Sequence, residues 1–321
     1  MVSNDRKVVV IARVLLPAGR EPLAERFEVR EGGMDADRDR ILELAQGADA
    51  FVADPSLSVD RELLDACGEG LRVVANFAVG YDNIDLDACR ERGVTVTNTP
   101  DVLTEATAEL ALALTLAAAR RMSDAERDLR TGRWRGWDPA AYRGIEIWGS
   151  TVGVVGMGRI GHRYARLAHG LGARIVYAGP TPKPTAESEL GARRLEFDEL
   201  LGASDVVSLH APAIPETRGL IGSRELELIG PDGVLVNTSR GPLVDSEAVA
   251  AALQDGTLGA AGLDVYEGEP EVPRSLLEAP RCVLLPHIGS ATVPARDGMA
   301  RAVADNVIAV LEGGEPPSRV I

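Results

Sequence analysis

The sequence predicts an α/β fold built from two doubly wound parallel-sheet domains, and three observations support this prediction. Short apolar runs alternate with helical segments along the whole chain, which is the pattern of a parallel sheet with crossover helices. The chain is 45% apolar but only 4% aromatic, so we expect an interior of Val, Ala and Leu, as in sheets covered by helices on both faces. Its 321 residues exceed the length at which single cores stop growing, which favours two domains.

Apolar, β-branched runs mark the predicted strands. In the first part of the chain they fall at Val8–Ile11, Ala50–Val52, Arg72–Ala75 and Val94–Thr97. In the second part they fall at Thr151–Val155, Arg174–Ala178, Asp205–Leu209, Val234–Asn237, Gly259–Leu263 and Val283–Leu285.

Two long helices complete the predicted framework. One runs from Thr104 to about Arg130, and an amphipathic one runs from Thr292 to Leu311 and ends at Gly313-Gly314. We expect the second helix to return to the first domain. The expected division is therefore a discontinuous outer domain of residues 1–101 and 292–321, and an inner domain of residues 102–291.

A glycine-rich run lies where an apolar strand meets a predicted helix over Arg159–Gly170. It contains Gly156-x-Gly158-x-x-Gly161. Glycines at this spacing let the chain turn tightly, let its backbone approach a pyrophosphate, and let the helix pack close to the strand. The phosphates then meet free N–H groups at the helix N-terminus. An ordinary tight turn would explain one glycine, but the strand before the run and the helix after it indicate dinucleotide binding.

Charge and cysteine content exclude several classes of partner. A net charge of −15 argues against nucleic acid and against anionic membranes, because an acidic surface repels both. Cys67, Cys89 and Cys282 are few and scattered, so we expect no disulfide framework, no metal site and a reduced, cytoplasmic compartment. The segment before Val8 is too short for a signal peptide or a membrane span.

Three polar residues follow predicted strands of the inner domain, at the edge where open α/β sheets bind ligands. Arg240 follows one strand, and its planar fork suits bidentate capture of a carboxylate. Glu269 and His287 follow the next two strands. A carboxylate beside a histidine favours the protonated ring, which can deliver a proton near neutral pH. Each residue alone has an ordinary structural explanation, but together they predict Arg240 for anchoring, His287 for acid–base work and Glu269 for tuning.

With the glycine run, these residues resemble the D-isomer specific 2-hydroxyacid dehydrogenases over nearly the whole chain. The matching motifs keep the order of the family: Asn76–Asp85, Asn98–Asp101, Gly153–Gly161, Asn237–Gly241, Ala261–Val265 and Pro286–Ser290. The resemblance implies an outer substrate domain, an inner Rossmann-like cofactor domain, a cleft between them and a homodimer. It also implies that the backbone amides of Ala78, Val79 and Gly80 bind the substrate carboxylate, and it supports the catalytic trio.

Within the family, Ala78–Asp85 and Arg133-Trp-x-Gly-Trp137 look most like glyoxylate and hydroxypyruvate reductases, which reduce a small 2-oxo acid with NAD(P)H. In such reductases a Trp near this loop reaches the active site of the neighbouring subunit, which implies a substrate-binding role for Trp137. Glu269 argues against formate dehydrogenases, which pair their His with Gln. Other 2-hydroxyacid dehydrogenases and phosphite dehydrogenases are alternatives within the family. A cofactor-sensing binding protein, like the corepressors of this fold, is the alternative from a different class.

The end of the Arg174–Ala178 strand bears on the choice of cofactor. An NAD site places an acidic residue about 20 positions beyond the glycines, where it accepts bonds from the ribose 2′-OH. Here Gly179 holds that place, so no carboxylate repels a 2′-phosphate. We therefore favour NADP(H), with NAD(H) as the alternative. Relatives that use NADP usually place Arg next, whereas this chain has Pro180, so Thr181 and above all Lys183 are the candidate contacts.

The resemblance also carries over a wider set of cofactor contacts. They lie at the pyrophosphate turn, on the adenosine side and near the nicotinamide: Thr107, Gly156, Gly158, Arg159, Ile160, Gly161, Gly179, Lys183, His210, Pro212, Thr217, Thr238, Ser239, Arg240, Asp264, His287 and Gly289. A purely structural role explains His210 equally well.

Overall fold

A computed structural model describes residues 6–321 of the chain. The expected outer domain and the segment before the first strand both begin with residues 1–5. These five residues lie outside the described residues. The chain forms two compact units. The first comprises the described residues up to Leu103 together with Ser290–Ile321, and the second comprises Thr104–Gly289.

The first unit contains a parallel sheet with the strand order β2-β1-β3-β4-β5. Its strands are β1 (Val8–Ile11), β2 (Glu28–Glu31), β3 (Ala50–Ala53), β4 (Val73–Asn76) and β5 (Thr95–Thr97). Its helices are α1 (Pro17–Arg26), α2 (Arg38–Ala45), α3 (Arg61–Cys67), α4 (Leu86–Glu91) and, from the end of the chain, α13 (Val293–Leu311).

Helix α13 packs against α1 and the sheet, which joins the end of the chain to the first unit. The two helices approach so closely that a Cβ on Gly19 would overlap the carbonyl group of Ala300. The Thr292 hydroxyl caps the start of α13 by accepting the Ala295 amide at 3.3 Å. The predicted amphipathic helix therefore forms with the predicted bounds to within one residue.

The last residues of the chain run beside β5. The Val320 amide donates to the Val96 carbonyl at 2.7 Å, and the Val96 amide donates to the Ile321 carbonyl at 3.3 Å. Thr97 and Arg319 form an antiparallel bridge next to these bonds. The tail thus satisfies backbone groups that the edge strand would otherwise present to solvent.

The second unit contains a larger parallel sheet with the strand order β12-β11-β10-β9-β6-β7-β8. Its strands are β6 (Thr151–Val155), β7 (Arg174–Ala178), β8 (Arg193–Arg194), β9 (Val206–Leu209), β10 (Val234–Asn237), β11 (Ala260–Leu263) and β12 (Cys282–Leu284). Its helices are α5 (Thr104–Ala119), α6 (Met122–Arg130), α7 (Arg159–Gly170), α8 (Pro184–Leu190), α9 (Phe197–Ala203), α10 (Ser223–Ile229), α11 (Ser246–Asp255) and α12 (Arg274–Leu277). The order reverses between β6 and β9, and this switch point is where ligands of open α/β sheets bind.

The predicted class of two parallel-sheet α/β domains is confirmed, and each predicted strand forms within one residue of its expected ends. Two further strands, β2 and β8, were not predicted. The prediction of a continuous helix from Thr104 to about Arg130 is wrong. Arg121 adopts a left-handed backbone with φ 52°, which ends α5 and starts α6 in a new direction.

The cysteines are buried free thiols. Burial raises the pKa of Cys67 to about 12 and that of Cys89 to about 11, so both stay protonated and unreactive at neutral pH. Among residues 6–321, the helices are either too short or too polar for one of them to cross a membrane.

Candidate active site

The glycine-rich turn between β6 and α7 has the geometry that a dinucleotide requires. Gly156 has φ +96°, and a Cβ there would lie 2.7 Å from the His210 carbonyl carbon. A Cβ on Gly161 would overlap the Gly156 carbonyl oxygen, so this glycine is what lets α7 approach the strand. Gly158, in contrast, has nothing within 4 Å of its Cβ position. The open space at Gly158, beside the amides at the start of α7, suits a pyrophosphate.

Arg159 and Ile160 form the first turn of α7, directly after Gly158. Their backbone amides belong to the first turn, whose N–H groups lack partners within the helix. Arg159 is exposed and Ile160 is half-buried. The predicted pyrophosphate contacts of Arg159 and Ile160 stay predictions.

A buried asparagine shapes the turn that carries Arg240. Asn237 closes β10; its Nδ2 donates to the Arg240 carbonyl at 2.9 Å, and its Oδ1 accepts the Ser239 amide at 3.0 Å. The Arg240 Nη1 donates to the Ser239 carbonyl at 2.8 Å. Both ends of the Asn237 amide are therefore used to fix the backbone from which the guanidinium extends.

The turn after Arg240 packs directly against the segment that carries Glu269. A Cβ on Gly241 would overlap the Tyr266 carbonyl group, so only glycine allows this approach. The Glu269 Oε1 accepts the Tyr266 amide at 2.8 Å, which orients the carboxylate. Arg240 is close enough for its charge to act on Glu269.

His287 and Glu269 form the predicted pair. His287 Nδ1 lies 2.7 Å from Glu269 Oε2, with 36% and 29% of the two side chains exposed. Burial raises the pKa of Glu269. The bonds from His287 and the Tyr266 amide, with the charges of His287 and Arg240, outweigh burial and leave the pKa below its usual value. The carboxylate is therefore ionised at neutral pH and binds the Nδ1 edge of the imidazole.

The backbone around His287 is held by Asp264, which follows β11. His287 has φ +53°, a left-handed conformation that is unusual for a residue with a side chain. Its amide donates to the Asp264 carbonyl at 2.9 Å, and the amides of Ile288 and Gly289 each donate to the Asp264 carboxylate at 2.8 Å. Burial raises the pKa of Asp264, and these amide bonds only partly oppose that rise.

Thr238 provides an independent sign of a missing partner near Arg240. Its side chain is 7% exposed, and its hydroxyl has no hydrogen-bond partner within the described part of the chain. Thr107 on α5 is also buried and lies 3.5 Å from the Cβ position of Gly289. A buried hydroxyl without a partner fits a site that a polar ligand completes. The residues present therefore fit a dinucleotide.

His210 closes β9 beneath the glycine turn. Its Nε2 lies 2.9 Å from the Ser208 hydroxyl, and its ring centroid is 5.0 Å from that of Tyr164, which in turn bonds to the Thr115 hydroxyl at 2.8 Å. Burial lowers the pKa of His210 to about 3, so the ring is neutral at working pH. These contacts support a structural role for His210 under the turn, and its predicted contact with the cofactor stays a prediction.

Pro212 and Thr217, predicted on the adenosine side, lie in one short loop. The Thr217 hydroxyl donates to the Pro212 carbonyl at 2.6 Å and accepts the Ile214 amide at 3.0 Å. The Ser239 hydroxyl donates to the Ala211 carbonyl, which ties this loop to the turn that carries Arg240.

The end of β7 carries a residue that the sequence did not point out. Arg194, in the two-residue strand β8, donates from Nε and Nη2 to the Gly179 carbonyl at 3.1 and 2.9 Å. Lys183, the predicted contact, is half-buried, and its amide donates to the Tyr177 hydroxyl at 2.8 Å. The only sequence signal for Arg194 is its place in an Arg-Arg pair after the next helix.

In the first unit, the loop over residues 78–80 is fixed through its carbonyl groups. Those of Ala78, Val79 and Gly80 accept bonds from the Thr99 amide at 2.9 Å, the Asn98 side chain at 2.8 Å and the Asn76 side chain at 2.7 Å. In contrast, the amides of these three loop residues have no partner among residues 6–321. The loop therefore presents oriented N–H donors.

The tryptophans of the segment after α6 are exposed in the single chain. Trp137 is 86% exposed, Trp148 is 78% exposed and Trp134 is 55% exposed. Such large apolar side chains at the surface are typical of an interaction site. Within the described residues, no group of three or more His, Cys, Asp or Glu side chains is placed to hold a metal ion.

The parallel sheet of the second unit and its glycine-rich turn define a class, the dinucleotide-binding proteins of the Rossmann type. The family model for the NAD binding domain of D-isomer specific 2-hydroxyacid dehydrogenases matches residues 112–289. A glyoxylate reductase of Thermococcus onnurineus is 45% identical over 318 residues, which cover 97% of this chain and 95% of that protein. The chain belongs to the D-isomer specific 2-hydroxyacid dehydrogenase family.

Solved structures agree with this assignment. A crystal structure of a protein from Thermus thermophilus has a TM-score of 0.91 and 43% identity, covering 98% of this chain and all of that one. The NADPH-dependent glyoxylate/hydroxypyruvate reductase of Sinorhizobium meliloti, in complex with NADP and malonate, has a TM-score of 0.86 and 36% identity. That match covers 98% of this chain and 97% of the other. The chain is an oxidoreductase that uses a nicotinamide cofactor.

Proposed function

We propose that this enzyme reduces a small 2-oxo acid of the glyoxylate or hydroxypyruvate type to the D-2-hydroxy acid, with NADPH as the favoured cofactor. The observation that carries the proposal is the His287–Glu269 pair, 2.7 Å apart, beside a turn that fixes Arg240. The names of the relatives support the substrate class. In this scheme the second unit binds the cofactor and the first contributes to binding the substrate.

Arg240 anchors the substrate in this proposal. A guanidinium offers paired N–H groups that match a carboxylate, and the bonds from Asn237 keep its backbone in place. The free amides of the loop over residues 78–80 give the same carboxylate further donors. These donors hold the carboxylate end of the acid and His287 holds its carbonyl oxygen, which orients the carbonyl carbon for hydride addition.

The cofactor, when bound, supplies the hydride that adds to the carbonyl carbon. His287 supplies the proton: because Nδ1 is bound to Glu269, Nε2 is the ring atom left for the substrate oxygen. The electron pair of the C=O bond takes this proton, and the ring becomes neutral while it keeps its bond to Glu269. The carboxylate stabilises the charged ring before transfer and fixes its orientation throughout.

The trio makes separable predictions for kinetics. A His287→Ala variant should lose about 100- to 10,000-fold in turnover, as for other general acids, with little change in cofactor affinity. Glu269→Gln should lower turnover, because the imidazole loses the carboxylate that fixes its orientation. Arg240→Ala should raise KM for the acid. Normal turnover in His287→Ala would overturn the scheme.

Initial-rate kinetics of the unchanged protein decide the substrate. We would measure initial rates of NADPH and NADH oxidation with glyoxylate, hydroxypyruvate, pyruvate and bulkier 2-oxo acids, and run phosphite with NAD(P)+ as the reverse control. Activity confined to bulky acids would keep the family and discard the small substrate. Tight cofactor binding without turnover on any of them would favour a cofactor-sensing protein.

We further propose that the enzyme is a cytoplasmic homodimer and that the exposed Trp137 contributes to substrate binding in the neighbouring subunit. A Trp137→Ala variant should then raise KM for the acid more than it raises KM for the cofactor. The high exposure of Trp137 in the single chain supports this proposal.

A further inference from the structure

The segment that follows β7 in the second unit, residues 179–186, contains no acidic residue that would repel a 2′-phosphate. This argument rests on the proposed use of a dinucleotide at the glycine turn. In that arrangement the adenosine ribose lies beside the end of β7, at Gly179 and the residues after it. A 2′-phosphate there needs a cation with donors directed at it.

Arg194 reaches this place from the neighbouring strand. Residues Arg193 and Arg194 pair in parallel with Val176 and Tyr177, and this register brings the Arg194 side chain to the end of β7. Its Nε and Nη2 donate to the Gly179 carbonyl at 3.1 and 2.9 Å, and Nη2 lies 3.4 Å from the Pro180 carbonyl. The guanidinium is therefore held over the turn by its own hydrogen bonds.

These contacts leave donor capacity on Arg194. A guanidinium has five N–H groups, and the Nη1 pair takes no part in the bonds to Gly179 and Pro180. Among the residues that the structure describes, no carboxylate lies within ion-pair distance of Arg194. A cation that is oriented but not neutralised is suited to bind a phosphate.

The carboxylate near the turn is already engaged. Glu187 accepts the Tyr177 hydroxyl at 2.5 Å, and that hydroxyl accepts the Lys183 amide at 2.8 Å. The carboxylate is therefore directed at a buried tyrosine. Lys183 is bound to the same tyrosine only through its backbone amide, so its ammonium group is the competing cation that the binding test separates from Arg194. We propose that Arg194 is the specificity-determining residue that binds the 2′-phosphate of NADP(H), in place of the arginine that relatives carry after β7.

The chain offers a matched control in the adjacent residue. Arg193 is exposed like Arg194 and lies in the same strand, but successive side chains of a strand point to opposite faces. Arg193 lines a surface groove with Thr151, His169 and Arg174, at the opposite end of β7 from Gly179. Removing Arg193 therefore tests the loss of one positive charge without the loss of the contact.

The test is direct binding, measured by calorimetry with Arg194→Ala, Arg193→Ala and Lys183→Ala. The probes are NADP+ and NAD+, with adenosine 2′,5′-bisphosphate and AMP as fragments that differ in the 2′-phosphate. Arg194→Ala should weaken both 2′-phosphorylated probes by about 10- to 100-fold and change NAD+ and AMP by less than about 2-fold. Arg193→Ala should leave all four unchanged, and Arg194→Lys should recover part of the loss.

Equal weakening of NADP+ and NAD+ in Arg194→Ala would overturn the proposal, since it would show a structural effect. So would unchanged binding, or a loss found in Lys183→Ala instead. Selective loss of NADP+ binding in a protein without reductase activity would support the role of Arg194 and overturn only the proposed function, because the readout does not depend on turnover.

Discussion

At the scale of single residues, the backbone of His287 is the most constrained feature of the site. A left-handed conformation costs a residue with a side chain about 1–2 kcal/mol. Asp264 compensates by accepting three amides in succession, from His287, Ile288 and Gly289. Asp264 therefore fixes the backbone that directs the imidazole, although none of these three bonds is made to the ring itself.

Replacing Asp264 by Asn tests this dependence. The two carboxylate oxygens of Asp264 accept the amides of Ile288 and Gly289. In the variant, the Asn Oδ1 could accept one of these amides, and the Asn NH₂ group would face the other amide donor. We expect turnover to fall by about 10- to 100-fold, since a misplaced acid loses much of its general-acid contribution. The melting temperature should also fall. Unchanged turnover at saturating substrate would show that the turn is held by other contacts.

The neutral state of His210 predicts a dependence of stability on pH. The unfolded chain takes up a proton near the ordinary pKa of 6.5, whereas the folded chain does so only near 3. Stability is therefore lost as the pH falls below about 6.5. Between pH 7 and pH 5 this group should remove about 2 kcal/mol from the free energy of unfolding.

The His210→Gln variant isolates that contribution, because Gln can keep the bond to Ser208 and does not titrate. Urea unfolding at pH 7 and pH 5 should show a smaller loss of stability in the variant than in the natural chain. Equal losses in both proteins would mean that other groups cause the acid sensitivity.

The residues that could be predicted from the sequence are those next to a recognisable local pattern. Arg240, Glu269 and His287 each follow an apolar strand, and the glycines precede a helix, so their places follow from the order of elements. The role of Arg194 could not be predicted, because it depends on the pairing of β8 with β7. The untested contacts, including Lys183 and Trp137, stay predictions.

At the scale of elements, the missed strands share one property. Both β2 and β8 lie at sheet edges and are made largely of charged, exposed residues. A strand at an edge needs no apolar face, so periodicity gives no signal for it. The buried central strands, in contrast, are continuous apolar runs and were located within one residue.

The break between α5 and α6 has a tertiary cause. Asp124 is 5% exposed and binds the side chains of Arg121 and Arg127, and the Ser123 hydroxyl donates to the Cys282 carbonyl at 3.0 Å. These contacts attach α6 to β12 and favour the new direction of the chain. The local sequence has no glycine or proline at the break, so only the contacts reveal it.

The glycine turn predicts opposite behaviour for two similar substitutions. Gly158→Ala should leave the melting temperature almost unchanged, because its Cβ meets open space, but it should weaken dinucleotide binding by filling the place of the pyrophosphate. Gly161→Ala should destabilise the fold by about 1–3 kcal/mol, because its Cβ meets backbone that cannot move aside. Thermal unfolding and cofactor titration of both variants check this, and equal stability losses would contradict it.

At the scale of the whole molecule, the exposed apolar surface around α6 predicts self-association. Leu129 is 61% exposed and lies in sequence just before the exposed Trp134 and Trp137. We expect light scattering to give twice the chain mass of 34.0 kDa. Leu129→Asp should shift the protein toward the monomer, because a charge cannot be buried there without a partner.

Leu277→Asp is the matched control for that experiment. Leu277 is 57% exposed but belongs to α12, far along the chain from the tryptophan segment. A monomer in both variants, or a dimer in both, would contradict the placement of the interface at α6.

The pairing of the C-terminal tail with β5 has a practical consequence for handling the protein. Shortening the chain by the residues that bond to Val96 would uncover a row of N–H and C=O groups, which is a template for strands of other molecules. Such a chain would tend to aggregate although its catalytic machinery is intact. A purification tag joined after Ile321 would start next to these backbone hydrogen bonds. The yield of folded protein then depends on whether the tag disturbs the pairing of the tail with β5.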